Sequence, residues 1–425
     1  MRRASAAAVA GVLLAGARAF AQADGGASEE EIARALAADE AARTKTNANA
    51  GAGAAAAAAT SATPAPRGTQ TLNPDISALV DFAAGGYSNA NVVKSGDDPQ
   101  STGFKVQEIE LALQSVVDPY FRADIFLTIP DLAGLEVEEA FLTTTSLPAN
   151  LQLRAGIMRA TLGRQNGQHL HLQDFTRRPL LNAALLGSDG LRSPGAEVSW
   201  LAPGIPFYLL LTGAAYSVAA ADADLPLQTF GGGGRSALSY VGSARAFFPL
   251  GEATSLYLGL NYARGRTSQI ASGQMPGPTA GDGLADNLYG ADLYVKWKPP
   301  NQAETYASLA WQSEYFVRQI PGYTRAGAAA PQVEGAAYTQ LVMQTHRRWY
   351  VGVRGEIAGL PAGDSITRQY AGAASLTWGL SEFARVRLYG EVRRGALPLD
   401  ATQRTTGAAF LQLEAAIGAH GAHPF

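Results

Sequence analysis

The feature that most constrains this chain is an alternation of apolar and polar residues that begins near residue 72 and recurs towards the C-terminus. In one segment, Phe121, Ala123 and Ile125 alternate with Arg122 and Asp124. Because successive side chains of a strand point to opposite faces, such a segment predicts a strand with one apolar and one polar face. Segments of this kind, sixteen in all, begin near Ile76, Phe104, Tyr120, Leu135, Leu151, Ala196, Phe207, Ala237, Ser255, Tyr289, Thr305, Ala337, Trp349, Gln369, Arg385 and Thr406.

The connections between these strands distinguish two architectures. Alternation by itself also fits a water-soluble sandwich of two sheets. Three further features favour a membrane barrel. Short turns alternate with mostly longer connections, and aromatic residues such as Trp200 and Trp378 stand at strand ends. The last segment ends at the aromatic residue Phe425. Short turns on one side, longer loops on the other and aromatic girdles are typical of outer-membrane barrels. We therefore predict an all-β fold, a closed antiparallel transmembrane barrel of about 16 strands.

The strand count and the orientation follow from the same pattern. The segments near Leu135 and Ala337 alternate poorly, so a range of about 14 to 18 strands stays open. If both ends of the barrel lie on the periplasmic side, the number of strands is even. The connections on the outer side are then residues 83–103, 159–195, 218–236, 266–288 and 321–336.

The N-terminal part of the chain predicts export. Residues 1–21 have a basic start, an apolar stretch and the cleavage motif Ala19-Phe20-Ala21 of a secretory signal peptide. Residues 22–71 predict a short periplasmic helix followed by an Ala- and Pro-rich disordered linker with too few large apolar residues to form a core. Residues 72–425 form the barrel. Export and a barrel together predict the outer membrane of a Gram-negative bacterium.

Charged side chains of both signs occupy the face of the strands that lines the predicted interior. Barrels of about 16 to 18 strands enclose an aqueous channel, and a dry interior would not accept so many charges. We therefore expect passive diffusion of small hydrophilic solutes or ions, with membrane lipid and these solutes as partners. The formal net charge of -3 gives no basic excess that would indicate a nucleic-acid partner. The inward charges are Glu108, Glu110, Arg122, Asp124, Arg154, Asp292, Lys296, Arg354, Glu356, Arg385, Arg387 and Glu391.

The connection 159–195 is the longest within the predicted barrel and is rich in arginine. Its composition favours a solvated lid on the outer surface, and the alternative is a loop that folds inward and narrows the lumen. In that alternative its guanidinium groups would attract anions, because clusters of charge set the selectivity of a pore. The candidate constriction residues, from this loop and from the wall, are Arg154, Arg159, Arg164, Arg177, Arg178, Arg385 and Arg387.

Four of the five histidines form two close pairs. His169 and His171 lie in the same connection as Asp174, and His420 and His423 lie near the C-terminus. Imidazole and carboxylate groups are zinc ligands, so His169, His171 and Asp174 are the candidate metal ligands. The topology puts the two pairs at opposite ends of the barrel, which argues against one four-ligand site. No bound cofactor is expected, with zinc as the open alternative.

The sequence carries no motif that indicates catalysis. It has no cysteine, and no Ser-His-Asp order, phosphate-binding loop or paired-acid motif stands out. We therefore expect a protein that is not an enzyme. An outer-membrane lipase or protease, the alternative, would need a catalytic cluster at the rim of the barrel.

Five stretches resemble a proteobacterial family of porin-like outer-membrane β-barrels: LNPDIS at 72–77, EIELAL at 108–113, VDPYF at 117–121, QHLHLQDF at 168–175 and GAHGAHPF at 418–425. The resemblance covers nearly all of residues 72–425. Some members carry the label zinc-regulated TonB-dependent outer-membrane receptor, which implies zinc-linked uptake. The family is similar in type to phosphate-selective porins, which implies a porin channel and a homotrimer. Residues 72–425 are too few for a barrel of about 22 strands with large loops, so a passive channel is favoured over the zinc-linked receptor or metal-uptake barrel.

Overall fold

The computed structural model describes residues 74–88, 98–99, 101–130, 134–187, 189–217, 230, 238–266, 284–300, 306–322, 324–325, 328–329, 331–361, 368–397 and 400–418. The predicted signal peptide at 1–21, the helix and linker at 22–71, and the C-terminal His420, His423 and Phe425 lie outside these residues. They stay predictions.

The described chain is built almost entirely of β-strands. Their bounds are β1 Asp75–Tyr87, β2 Gly103–Val116, β3 Phe121–Pro130, β4 Glu136–Thr144, β5 Leu151–Arg159, β6 Arg192–Leu201, β7 Tyr208–Tyr216, β8 Ser239–Pro249, β9 Thr254–Arg266, β10 Ala285–Trp297, β11 Ser308–Ile320, β12 Thr324–Arg325, β13 Ala328–Ala329, β14 Gln332–His346, β15 Trp349–Pro361, β16 Gln369–Gly379, β17 Ala384–Leu397 and β18 Asp400–Gly418. Sixteen of these described strands close into one antiparallel barrel, in which β1 pairs with both β2 and β18. The short β12 and β13 form a separate hairpin.

The prediction of a closed antiparallel barrel of sixteen strands is confirmed. The poorly alternating segments near Leu135 and Ala337 are the barrel strands β4 and β14. Some strands are longer than predicted: β14 begins at Gln332, and β18 begins at Asp400 instead of Thr406. Alternation marks only the part of a strand that faces hydrocarbon, because beyond the apolar band the outer face is polar as well.

The two faces of the barrel wall differ in chemistry. On β9, Leu260 is 66% exposed on the outer face, whereas its neighbour Asn261 is 6% exposed on the inner face. Trp349 of β15 and Trp378 of β16 stack with their ring centroids 5.6 Å apart, as expected for an aromatic girdle. The apolar outer face and the closed edges suit a strand barrel to hydrocarbon, where an open edge would leave backbone groups unsatisfied. Among the described residues, no helix is long and apolar enough to cross a membrane.

The connection between β5 and β6 folds into the barrel, so the expectation of a solvated lid is wrong. We call residues 160–191 the inward loop. Its Leu162, Leu181 and Leu185 are each 0% exposed. They form an apolar cluster with inner-wall residues that include Phe316 of β11 and Ala358 of β15. Burial of these leucines against the wall favours the inward position, because a lid in water would leave them hydrated.

Candidate functional site

The first part of the inward loop is held by β9 and β11. The backbone N–H groups of Arg164 and Gln165 both donate to Oε1 of Glu314, at 2.8 and 2.7 Å. The backbone N–H of Gly163 donates to Oδ1 of Asn261 at 3.0 Å. These contacts fix the loop to strands that are distant from β5 and β6 in the barrel.

A buried arginine holds the second part of the inward loop. Nε of Arg177 donates to Oδ2 of Asp98 at 2.9 Å, and its Nη1 donates to Glu391 of β17. Nη2 of Arg354 on β15 donates to the backbone oxygen of Arg177 at 2.9 Å. Burial opposes the charge of Arg177, but the carboxylates of Asp98 and Glu391 outweigh it and hold the pKa of Arg177 well above its ordinary value. The loop therefore crosses the lumen and connects β9 and β11 with β15 and β17.

Three more of the predicted constriction arginines form ion pairs inside the barrel. The pairs are Arg154 with Glu197 at 2.6 Å, Arg159 with Glu138, and Arg385 with Glu414 at 2.7 Å. Each guanidinium offsets the charge of a carboxylate in a region of low solvent access. The pairing explains how the interior holds charges of both signs, and it reduces the attraction that these three arginines exert on a passing anion.

The remaining predicted arginines make different contacts. Arg387 donates to a glutamine side chain and to the backbone oxygen of Gln173, both at 2.8 Å. Arg178 is 1% exposed within the inward loop. The Cζ atom of Arg164 lies 4.0 Å from the ring centroid of Tyr294, a cation–π distance, and Arg164 is only half-buried. Arg164 is thus a loop arginine that water reaches.

Two β-bulges turn consecutive polar residues towards the lumen. The register of β2 against β1 shifts by one residue, so that Gln107 and Glu108 are both buried. The register of β4 against β3 also shifts by one residue, so that Glu138 and Glu139 are both buried. A bulge places two residues opposite one and commonly re-aims side chains beside functional sites. The bulge in β4 is also why the alternation after Leu135 is poor, and this break in the pattern is the signal that sequence reasoning missed.

His169 enters the group of carboxylates that the bulge in β4 creates. Its Nδ1 lies 2.8 Å from Oε2 of Glu110 and 3.2 Å from Oε2 of Glu138, and its Nε2 lies 2.8 Å from Oε2 of Glu139. The ring of Phe126 contacts the imidazole edge-on, with centroids 4.7 Å apart. Burial by itself would lower the pKa of His169, but Glu138, Glu110 and Glu139 outweigh it and hold this pKa well above its ordinary value.

His171 lies beside the same carboxylates, one short 3-10 turn away from His169. Its Nδ1 is 3.4 Å from Oε2 of Glu110, and burial lowers the pKa of His171. Asp174 does not join them: the chain leaves the turn in an extended conformation at Gln173, and the Asp174 side chain is exposed. The structure therefore replaces Asp174 by Glu110 in the candidate ligand set, since Glu110, His169 and His171 each offer a ligand atom within 4.8 Å of the others.

The barrel has the fold of porins from several bacteria. It is similar to an anion-selective porin from Comamonas acidovorans (10% identity, TM-score 0.52), covering 81% of this chain and 99% of that one. It is similar to the outer membrane channel DcaP of Acinetobacter baumannii (9% identity, TM-score 0.53, 81% and 97% covered). It is also similar to a trimer form of OmpT, an outer membrane protein of Vibrio cholerae (9% identity, TM-score 0.51, 81% and 99% covered). This fold and the apolar outer face identify the protein as a barrel of the Gram-negative outer membrane, as the sequence predicted.

No known protein-family profile matches the chain. A protein of Aquifex aeolicus (strain VF5), described as "Uncharacterized protein", is 31% identical over 404 residues, which are 85% of this chain and 82% of that protein. These names give no support to the zinc-linked receptor alternative. At this identity and coverage, the chain belongs to the same family as the Aquifex aeolicus protein, and it carries the sixteen-stranded barrel of outer-membrane porins.

Proposed function

We propose that this protein is a porin-like channel for the passive diffusion of small hydrophilic solutes or ions across the outer membrane, and that it is not an enzyme. The observation that carries the proposal is the polar inner wall, which combines charges of both signs with a loop held inside the lumen. Side chains such as Arg154, Lys296 and Asp174 are partly or fully exposed there. A barrel of about 16 strands leaves room for water around such groups.

The channel prefers anions in this proposal. Lys296 interacts electrostatically with Lys298, Arg164 and Asp174. Nη2 of Arg245 donates to the backbone oxygen of Gly163 at 2.6 Å, which brings another cation next to Arg164. Arg164, Arg245 and Lys296 are half-buried, so water has access to all three. Positive charge along a pore raises the local concentration of anions. The similar Comamonas acidovorans protein is named as anion-selective, which agrees with this preference.

Planar-bilayer recordings test both parts of the proposal. The full chain, folded in detergent, should give discrete conductance steps, and a KCl gradient should give a reversal potential of the sign expected for chloride preference. Lys296→Gln should lower the anion preference. Arg347→Gln is the control for the loss of one positive charge, because Arg347 is exposed in the turn between β14 and β15. A wild-type protein without conductance steps would refute the channel, whereas steps with cation preference would refute only the selectivity.

A homotrimer is the assembly that we propose. The resemblance to porins implies it, and the similar OmpT of Vibrio cholerae has a trimer form. Chemical cross-linking in outer-membrane preparations should give a band at three times the mass of the processed monomer, which lacks the predicted signal peptide at 1–21. A ladder that stops at the monomer under conditions that cross-link a known trimer would contradict this assembly.

A further inference from the structure

We propose that Glu110, His169 and His171 bind a divalent transition-metal ion that fastens the inward loop to the wall formed by β2 and β4. Two of the ligands come from the loop and one comes from β2. The carboxylate of Glu138, on β4, lies in position to complete the coordination. The inference concerns a bound ion that stabilises the loop, and it does not depend on what permeates the channel.

The spacing of the ligand atoms fits a metal coordination sphere. A tetrahedral zinc ion with bonds of about 2.0–2.2 Å separates its ligand atoms by about 3.3–3.6 Å. Nδ1 of His171 lies 3.4 Å from Oε2 of Glu110, and Nδ1 of His169 lies 3.2 Å from Oε2 of Glu138. The imidazole rings of His169 and His171 have centroids 5.6 Å apart, and one ligand atom from each of Glu110, His169 and His171 lies within 4.8 Å of the other two. Small side-chain movements therefore suffice to close the sphere.

The charges around the site also favour a divalent cation. Glu108, Glu110, Glu138 and Glu139 are buried close together, and Arg159 brings one guanidinium to Glu138. Four carboxylates and one guanidinium leave three negative charges, of which a divalent ion neutralises two with both imidazoles uncharged. A buried charge that is not compensated is costly. Arg385, which donates to the backbone oxygen of His171, is already paired with Glu414.

The donor set identifies the class of metal. Two imidazole nitrogens with carboxylate oxygens suit zinc and neighbouring transition metals, whereas calcium and magnesium prefer oxygen ligands only. Metal binding requires His169 to release a proton and exchange its hydrogen bonds to carboxylates for a metal bond. The competing arrangement, in which His169 stays a protonated partner of Glu110 and Glu139, predicts no metal and is distinguished by the experiment.

Zinc binding to the folded protein tests the site. The parent protein is the full chain with His420→Ala and His423→Ala, because that second histidine pair could bind zinc by itself. After EDTA treatment and dialysis in detergent, the parent should take up about one zinc ion per chain, counted by plasma mass spectrometry. His171→Ala should weaken the affinity at least about tenfold. Asp174→Ala, in the same loop but outside the cluster, should leave the affinity unchanged.

Two results would overturn the proposal: a parent protein without stoichiometric zinc, or a His171→Ala variant that binds zinc as tightly as the parent. Heat-modifiable gel migration shows that each variant is folded. Zinc K-edge X-ray absorption on the parent needs no variant, and it should show imidazole in the first coordination shell. A shell of oxygen alone would equally reject the site. Conductance in bilayers is measured separately, so failure of the channel proposal and failure of the metal site remain distinguishable.

Discussion

The replacement of Arg177 by methionine tests whether buried ion pairs hold the loop inside the barrel. Methionine keeps an unbranched apolar chain but removes the guanidinium that contacts Asp98 at 2.8 Å and also pairs with Glu391. Loss of one partner of a buried ion pair costs about 3–5 kcal/mol. Glu391 keeps a contact with Arg393 at 3.3 Å, so the lower end of this range, about 3 kcal/mol, is expected. At about 1.4 kcal/mol per tenfold, the population of detached loops rises roughly 150-fold.

Protease cleavage of the loop measures this population. Phe175 is 1% exposed, so chymotrypsin reaches it only when the loop detaches. Where opening and closing are fast, the cleavage rate follows the population of the open form, and Arg177→Met should be cut about 150-fold faster than wild type. Arg347→Met is the matched control, because Arg347 is exposed in the turn between β14 and β15. Cleavage of Arg177→Met within threefold of the control would refute the argument.

Three further outcomes follow from the barrel and its loop. Leu260→Arg places a charge on the outer face in the middle of β9, and it should lower the free energy of unfolding by about 2–4 kcal/mol in urea titrations in lipid. Gly156→Ala should reduce the folding yield measured by heat-modifiable migration, because Gly156 has φ +145° and a Cβ would lie 2.1 Å from the backbone oxygen of Ala140. In metal-free protein, the raised pKa of His169 stabilises the docked loop below about pH 6.5, and the stabilisation is lost as pH rises through the folded-state pKa. Chymotryptic cleavage should therefore accelerate between neutral and alkaline pH, and a His169→Gln variant that keeps the same acceleration would contradict this assignment.

The sequence predicted the barrel wall well because each strand meets the same two environments. Alternation placed Asp292 and Arg387 on the inner face, and the structure leaves Asp292 9% exposed and Arg387 2% exposed. Hydrocarbon on one side and a polar lumen on the other impose a period of two on every strand. The pattern failed at β4, where the bulge turns Glu138 and Glu139 to the same face. A local period cannot predict which residue a bulge will insert, because the register also depends on the pairing strand.

The candidate site was only partly predictable. The spacing of His169 and His171 indicated a shared site, but the third residue chosen, Asp174, is exposed, and Glu110 from β2 occupies that place. Glu110 lies 59 residues from His169 along the chain, so neighbouring sequence carries no sign of their contact. The arginines of the loop were recognised as lumen candidates, and so was Glu391, but the pairing of these arginines with Asp98, Glu138 and Glu391 was not predicted.

The sequence by itself determined the barrel class, the face that meets lipid and the polar character of the lumen, and it limited the strand number to about 14 to 18. These properties repeat along each strand, so every segment reports them locally. The position of the loop after β5 was decided only by the tertiary structure. It depends on contacts such as that of Arg164 with Glu314, which are 150 residues apart. It also depends on apolar inner-wall residues, including Phe316 and Ala358, which pack against the loop only when the barrel has closed. Composition favoured a lid in water because the arginines of the loop are visible in the sequence, while the carboxylates and the apolar surface that receive the loop come together only in the folded barrel.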